Sequence, residues 1–208
     1  MDILDVQRKV RLDNSITEME FHNHITEMEF HNHVPFGSPK YGNNDEIRIV
    51  IPEIDRYTLP SESELVIEGK LRFASDESKN SVTASLIHNA GAFMFSHIRY
   101  IISGVEVGEV RNVGITSTMK GYFSYSPSYV NKLENCGWDV SPSYVNKLEN
   151  CGWDVGTGKA LIIDSKGNFN ICVPLKMLMG FAEYFKQVVM NVLQELVLKR
   201  CADDNKLL

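Results

Sequence analysis

Apolar and polar residues alternate most regularly between positions 97 and 107, in the stretch HIRYIISGVEV. Side chains at every second strand position share a face, so this alternation predicts a β-hairpin with one apolar side. Ser103-Gly104 forms its two-residue turn, which places Ile102 opposite Val105. Two positions further on, Tyr100 would lie opposite Val107, and a helix is expected to follow up to residue 121. Five residues are expected in the core: Ile98, Tyr100, Ile102, Val105 and Val107.

Further strands are predicted on both sides of this hairpin. Residues 46–51 and 64–73 alternate in the same way, and Pro52 and Pro60 are expected to bracket the connection between them. Residues 160–164 and 169–174 flank a polar turn and predict a second hairpin. The expected inward-facing residues of the first two strands are Ile47, Ile49, Ile51, Leu65, Ile67, Gly69, Leu71 and Phe73.

Two apolar stretches are ambiguous, and one segment predicts helices. Residues 84–95 have no clear period and fit a strand or a short helix. Residues 186–199 fit a helical face, but their many valines favour a strand. Ser126-Pro127 is an N-cap followed by a first-turn proline, and Gly137 can end the helix that they begin. The duplicate of this segment, residues 141–152, carries the same helix signals.

The predicted order of elements indicates the fold class. Many short strands are separated by turns, with short helices in the connections and no regular βαβ alternation. We therefore expect a mainly β protein, an antiparallel sandwich of the jelly-roll type, with residues 1–208 as one domain.

Two sequence segments are each repeated once without a substitution. ITEMEFHNH occupies residues 16–24 and 25–33, and SPSYVNKLENCGWDV occupies residues 126–140 and 141–155. Such pairs are typical of recent duplication, an engineered chain or an error in gene assembly, because solenoid repeats diverge and recur more often. Inserting an odd number of residues into a strand moves its apolar side chains to the other face of the sheet. One copy, through Met19 and Phe21 or through Met28 and Phe30, should therefore enter the core, while the other forms an extra strand or a loop.

Charge and cysteine content exclude several classes. The chain has 208 residues, 43% of them hydrophobic, and a formal net charge of −6. That charge argues against a general electrostatic affinity for nucleic acid or for an anionic membrane surface. We expect no sequence-specific nucleic-acid partner and no membrane partner. No apolar run approaches the ~20 residues of a membrane span, and the N-terminus lacks a signal-peptide pattern. With no CxxC, the four cysteines are expected to be reduced, and the protein to be intracellular.

The histidines are the one group of residues in the sequence that could form a metal site. His22, His24, His31 and His33 form two HNH pairs, and residues i and i+2 of a strand can offer two imidazoles to one metal. His22, His24 and Glu29 imitate part of the cupin metal motif, but its glycines are absent, and Glu29 belongs to the second copy. Solvent-facing strand histidines are the preferred interpretation. No nucleophile motif, phosphate loop or triad spacing is present, so no catalytic residue, metal or cofactor is expected.

Several sequence segments, occurring in a fixed order along the chain, carry a family resemblance. VRLDNSI, GNNDEIRI, YTLPSES, the hairpin stretch, KLENCGW and VPLKMLMGFAEYFK resemble the double jelly-roll capsid proteins of Polinton/Maverick-type elements and adintovirus-like viruses. The resemblance implies a major capsid protein: two jelly rolls in tandem, a homotrimer, higher-order shells, a location in virions, no small-molecule substrate and no reaction. The chain ends where the second roll should begin, so we expect a fragment carrying the first. The resemblance also favours a strand at 186–199.

Two alternative functions stay open. A domesticated or degenerate jelly-roll module would bind a host protein or a glycan without forming shells. A cupin-like metal-dependent enzyme would use His22, His24 and Glu29.

Overall fold

The structure is a computed structural model. It describes residues 9–19, 25–37, 40–53, 57–70, 86–87, 89–124, 153–154, 159–160 and 167–203. The strands within these ranges are β1 Lys9–Met19, β2 Ile25–His33, β3 Glu46–Ile51, β4 Tyr57–Lys70, β5 Phe95–Ile102, β6 Val105–Arg111, β7 Trp153–Asp154, β8 Lys159–Ala160, β9 Asn168–Pro174, β10 Val189–Met190 and β11 Gln194–Arg200. The helices are α1 Ala90–Phe93, α2 Val113–Ser124, α3 Leu175–Leu178 and α4 Gly180–Tyr184. None of the described helices is long and apolar enough to cross a membrane.

Two antiparallel sheets contain most of the described strands. Sheet A has the order β10-β4-β1-β2, and β9 also pairs with β4. Sheet B has the order β3-β11-β5-β6, and β7 and β8 form a separate small pair. The last strand of the chain, β11, therefore lies between β3 and β5, which precede it by many residues. Such long-range strand insertion is typical of jelly-roll sandwiches and confirms the predicted fold class.

The core lies between the two sheets because each presents one apolar face to the other. Alternate residues of β3, β5 and β11 face alternate residues of β4 and β9. The prediction that 46–51 is a strand with three inward isoleucines is confirmed. The principal buried side chains, none more than 4% exposed, are Ile47, Ile49, Ile51, Leu65, Ile67, Ile98, Tyr100, Phe169, Ile171, Val173, Leu196 and Leu198.

The central hairpin has the predicted turn but a different register. Ser103 and Gly104 both have positive φ, 48° and 79°, as a primed two-residue turn requires. Ile102 pairs with Val105 as expected, but Tyr100 pairs with Gly108. Val107 is thus the extra residue of a β-bulge.

The bulge corrects part of the predicted core. Ile98 and Tyr100 are fully buried and Ile102 packs against the core, as predicted. Val105 is 64% exposed and Val107 is 38% exposed, so placing these two in the core was wrong. Val105 lies beside the turn at the end of the hairpin, and Val107 is displaced from the paired ladder.

Proline 60 lies inside a strand and not in a connection. β4 begins at Tyr57, so Pro52 and Pro60 do not bracket the loop. The β1–β4 register jumps from Ser15↔Leu59 to Asp13↔Glu64, which leaves Pro60 within a bulge. Proline has no N–H to donate, and a bulge is where a strand tolerates it.

The ambiguous segments are resolved by the structure. Residues 84–95 contain the short helix α1 and the start of β5, and residues 186–199 contain two strands, β10 and most of β11. Ala160 pairs with Trp153 in the β7–β8 pair, and β9 pairs with β4. Residues 71–73, 161–166 and the predicted helices at 126–137 and 141–152 lie outside the described residues.

The first duplication produces an extra strand, as one of the two expected outcomes. β2 coincides with the whole second copy, residues 25–33, and pairs antiparallel with β1 at the end of sheet A. Phe30 is 56% exposed, so the second copy does not bury this aromatic residue in the core. Phe21 lies outside the described residues.

Candidate assembly surface

Helix α2 packs against the protein through its smallest side chains. Val113, Gly114, Ser117 and Gly121 are the buried residues of this helix, and their spacing places them on one face. A Cβ atom added to Gly114 would collide with the ring of Phe93 in α1. The absence of a side chain at Gly114 therefore sets how closely the two helices approach.

Polar contacts fix the rotation of α2 about its axis. Asn89 Nδ2 donates to Ser117 Oγ at 3.2 Å and to Thr118 Oγ1 at 3.1 Å. Lys120 Nζ donates to the carbonyl of Lys176 at 2.6 Å. It also pairs at 2.6 Å with Glu183 Oε2 in α4. Because these contacts lie along the inward-facing and flanking positions, they hold the opposite face toward solvent.

That opposite face carries bulky apolar side chains. Ile115, Met119 and Tyr122 follow helical spacing, and Phe123 adjoins Met119 one turn away. We call these four residues the helix surface. Their exposed fractions are 57% for Ile115, 55% for Met119, 67% for Tyr122 and 85% for Phe123. A globular helix normally buries its large apolar residues, so α2 has the reverse arrangement.

A second exposed apolar site lies at the far edge of sheet B. The Phe36 N–H donates to the carbonyl of Arg48 at 3.1 Å, and Pro35 forms an isolated bridge with Ile49. These contacts hold the segment against β3. Val34 is 69% exposed and Phe36 is 91% exposed, and we call these two residues the β3-edge site. β3 and β6 are the two edges of sheet B, so the β3-edge site lies at the opposite edge from the β6–α2 connection.

The outer face of sheet B between these edges is polar and internally paired. Arg48 Nη1 lies 3.1 Å from Glu195 Oε2, and Arg99 Nη2 lies 3.3 Å from Glu46 Oε2. Val197, on this face, is only 2% exposed because it pairs directly with Arg48 and Arg99, whose aliphatic stems can cover it.

A second charge cluster on this face involves Glu109. Arg111 Nε donates to Glu109 Oε1 at 2.9 Å, and His97 Nε2 lies 2.8 Å from the same oxygen. The hydrogen bond from Arg111 is the main cause that lowers the pKa of Glu109, and His97 adds to it. The outer face of sheet B is thus charged, whereas the exposed apolar groups lie toward its edges.

The four histidines considered as possible metal ligands lie only in part within the described residues. His31 and His33 lie two positions apart on β2. Among the described residues, no group of three or more His, Cys, Asp or Glu side chains could hold a metal ion. His22 and His24, which the cupin-like set requires, lie outside the described residues.

Sequence reasoning missed the helix surface, although its signal is present. Residues 115, 119 and 122 have helical apolar spacing, and that pattern alone indicates a face turned toward the core. The additional signal is the small-residue face formed by Gly114, Ser117 and Gly121, which permits close packing on the other side. The packing of α1 against Gly114 and the polar contacts of Asn89 and Lys120 decide which face is inside.

Comparison with known proteins identifies a domain family. A family model for the double jelly roll-like domain matches residues 84–147 and 140–208, which together span more than half of the 208 residues. The two matches share residues 140–147, which lie within the repeated segment at 126–155. Such an overlap is expected when a duplication interrupts one continuous match. No curated protein and no solved structure matches the chain. The chain, with its two facing antiparallel sheets, belongs to the double jelly roll-like domain family.

Proposed function

We propose that this protein is a capsid-type structural protein, of the Polinton/Maverick or adintovirus-like kind, which acts by associating with further copies of itself. The protein acts by burying surface between its copies, with no reaction, cofactor or small-molecule substrate, and its location is the virion. One observation carries the proposal: α2 is held with its bulky apolar face toward solvent.

The energetic argument starts from the exposed side chains. Burying one large apolar side chain is worth about 1.5–3 kcal/mol, so four on one helix face represent a substantial gain on association. Contiguous exposed apolar surface typically marks an interaction site. The Lys120–Glu183 pair and the Asn89 contacts hold α2 in place, so the free chain presents this surface without rearrangement.

The location of the two sites favours a ring over a simple twofold dimer. A closed ring needs two different surfaces on each subunit, one of which contacts the other on the next copy. The helix surface and the β3-edge site are two such surfaces, at opposite edges of sheet B. A homotrimer built by pairing them is the assembly that we propose.

Sedimentation velocity across a concentration series tests this proposal with a pair of neighbouring variants. Phe123→Lys places a charge in the helix surface, whereas Ser124→Lys adds the same charge at the next, exposed polar position. We expect Phe123→Lys to weaken association about tenfold or more, with Ser124→Lys close to the parent. Both variants should unfold at the parent temperature, because both side chains are exposed.

Two outcomes would contradict the proposal. One is a parent chain that stays monomeric at every concentration and forms no particles by electron microscopy. The other is equal weakening by Phe123→Lys and Ser124→Lys, which would assign the effect to net charge. A folded, strictly monomeric chain that binds a glycan or an unrelated protein would favour the module interpretation.

A further inference from the structure

The side chains on the outer face of sheet B form two rows that cross all four of its strands. The strand pairing is continuous between these rows, so the residues of each row lie at the same height along the strands. The first row crosses β3, β11, β5 and β6 through Glu46, Lys199, His97 and Arg111. The second row crosses the same strands through Arg48, Val197, Arg99 and Glu109. Each row therefore has a charged residue at both edges of the sheet.

The two edges carry opposite charges at each height. In the first row, Glu46 at the β3 edge is acidic and Arg111 at the β6 edge is basic. In the second row the signs are exchanged, with Arg48 at the β3 edge and Glu109 at the β6 edge. All four side chains reach solvent, with exposed fractions of 48%, 76%, 50% and 36% in that order. The two edges are thus complementary in charge when one copy lies beside another in the same orientation.

We propose that the β6 edge of one copy lies beside the β3 edge of a second copy. Arg111 then faces Glu46 of the neighbouring copy, and Glu109 faces its Arg48. Opposite charges across an interface fix its register and disfavour wrong partners. The contact joins two different edges, so it is head-to-tail and can close into a ring. This inference rests on the self-association proposed above and deepens it, because it specifies which edges meet and at what height.

The segment that carries the β3-edge site limits how closely the two copies approach. The Phe36 N–H donates to the carbonyl of Arg48, and Pro35 bridges to Ile49, so this segment lies along the outer edge of β3. Because adjacent strands are about 5 Å apart, the neighbouring β6 would lie about 10 Å from β3. Extended arginine and glutamate side chains span that gap. The contact is therefore made by side chains and not by a new pair of strands.

Charge reversal distinguishes this contact from twofold contacts. Two β3 edges related by a twofold axis would bring Glu46 against Arg48, and two β6 edges would bring Glu109 against Arg111. In either case, the effect of reversing a charge at one edge does not depend on the other edge. In the head-to-tail contact, a reversal at one edge is compensated by the opposite reversal at the other.

The experiment is sedimentation velocity at low salt on full-length chains. It compares the parent with Arg111→Glu, with Glu46→Arg and with the chain that carries both substitutions. Each single substitution brings like charges together, so we expect association to weaken about tenfold. The double variant restores an opposite pair with exchanged signs, and its association should return to within about threefold of the parent.

Contacts within one chain would not produce this recovery. Arg111→Glu places a second carboxylate beside Glu109, and Glu46→Arg places a further guanidinium beside Arg48 and Arg99. These repulsions add in the double variant, because the two sites lie at opposite edges of the sheet. Thermal unfolding of each variant measures them separately from association.

Lys199→Glu is the matched control. It makes the same change of charge in the first row, but Lys199 lies on β11, between β3 and β5 and away from both edges. Its association should stay within about twofold of the parent. Phe123→Lys is measured beside it, because that variant reports on self-association through the helix surface.

Three results would overturn the inference: no recovery in the double variant, equal weakening by Lys199→Glu, and association that Arg111→Glu leaves unchanged. If Phe123→Lys still weakens association in any of these cases, the proposed function stands and only the contact between the edges is wrong. A parent chain that stays monomeric at every concentration would overturn both.

Discussion

Gln194 in β11 donates a hydrogen bond of 2.7 Å to the hydroxyl of Thr58 in β4, and this bond joins the two sheets inside the core. Both residues are only 2% exposed. Tyr100 donates to Gln194 Oε1 at 2.8 Å, and Thr58 donates to the carbonyl of Val189 at 3.1 Å. The chain of donors and acceptors links β5, β11, β4 and β10. A buried polar network of this kind specifies how the sheets are aligned, because misalignment would leave its members without partners.

Replacing Tyr100 with phenylalanine should break the first bond of this network. Tyr100→Phe keeps the ring but leaves the buried Gln194 Oε1 without that donor, so we expect the free energy of unfolding to fall by about 1–2 kcal/mol. Urea denaturation measures the change. Tyr184→Phe is the control: Tyr184 is 83% exposed, and its variant should stay within about 0.5 kcal/mol of the parent. Equal effects of the two substitutions would contradict the role of the buried bond.

The same tyrosine predicts how stability changes at alkaline pH. Burial raises the pKa of Tyr100 above its ordinary value of about 10. The unfolded chain therefore ionises this phenol first, so the contribution of Tyr100 is fully present below pH 10 and is lost as pH rises toward the raised folded pKa. We expect Tyr100→Phe to show a shallower loss of stability above about pH 10 than the parent. Urea denaturation across this range checks it, and a decline equal to that of Tyr184→Phe would count against it.

Gly114→Ala tests the close contact between α1 and α2. The added methyl group would meet the ring of Phe93, so one helix must move, at an expected cost of about 1–3 kcal/mol in unfolding free energy. Gly180→Ala is matched to it, because nothing lies within 4 Å of a Cβ at that glycine. The Gly180 variant should be neutral or slightly more stable. Thermal and urea unfolding distinguish the two, and a neutral Gly114→Ala would show that α2 is not closely packed there.

Glu109 should titrate below an ordinary glutamate, and Arg111 should be the main reason. The lowered pKa means that the contribution of this carboxylate is present above the unfolded pKa and is lost as pH falls through the folded value. Arg111→Gln should raise the pKa of Glu109 toward its usual range, measured by 13C NMR of the carboxyl group. Arg48→Gln, which removes contacts to Glu46 and Glu195 instead, should leave it unchanged. A Glu109 titration insensitive to Arg111 would refute the assignment.

Periodicity alone predicted the parts of the fold in which a strand packs on one side. Ile47, Ile49 and Ile51 are buried as their alternation requires, and so are Ile98 and Tyr100. It failed at Val107, because a bulge changes the register without a signal in the pattern. It also gave no reason to bury Val197, which pairs with Arg48 and Arg99 on a charged face and is only 2% exposed.

The candidate surface could be predicted only in part for a related reason. The sequence contains an apolar stripe on α2, but such a stripe indicates a buried face unless small residues form the inward face of the helix. Gly114 decides this through its contact with Phe93, a contact between elements that periodicity does not contain. The β1–β2 pairing, by contrast, follows from the duplication, since an inserted copy of an edge sequence can extend the sheet.

Two variants that each fail to assemble should restore a limited assembly when mixed. Phe123→Lys disables the helix surface but keeps the β3-edge site, and Phe36→Lys does the reverse. If the interface joins these two different surfaces, an equimolar mixture contains one intact pair and should form dimers that cannot grow further. Sedimentation velocity of each variant and of the mixture measures this. If instead each surface contacted its own copy, the mixture would add nothing beyond its components, and the proposed ring would be wrong.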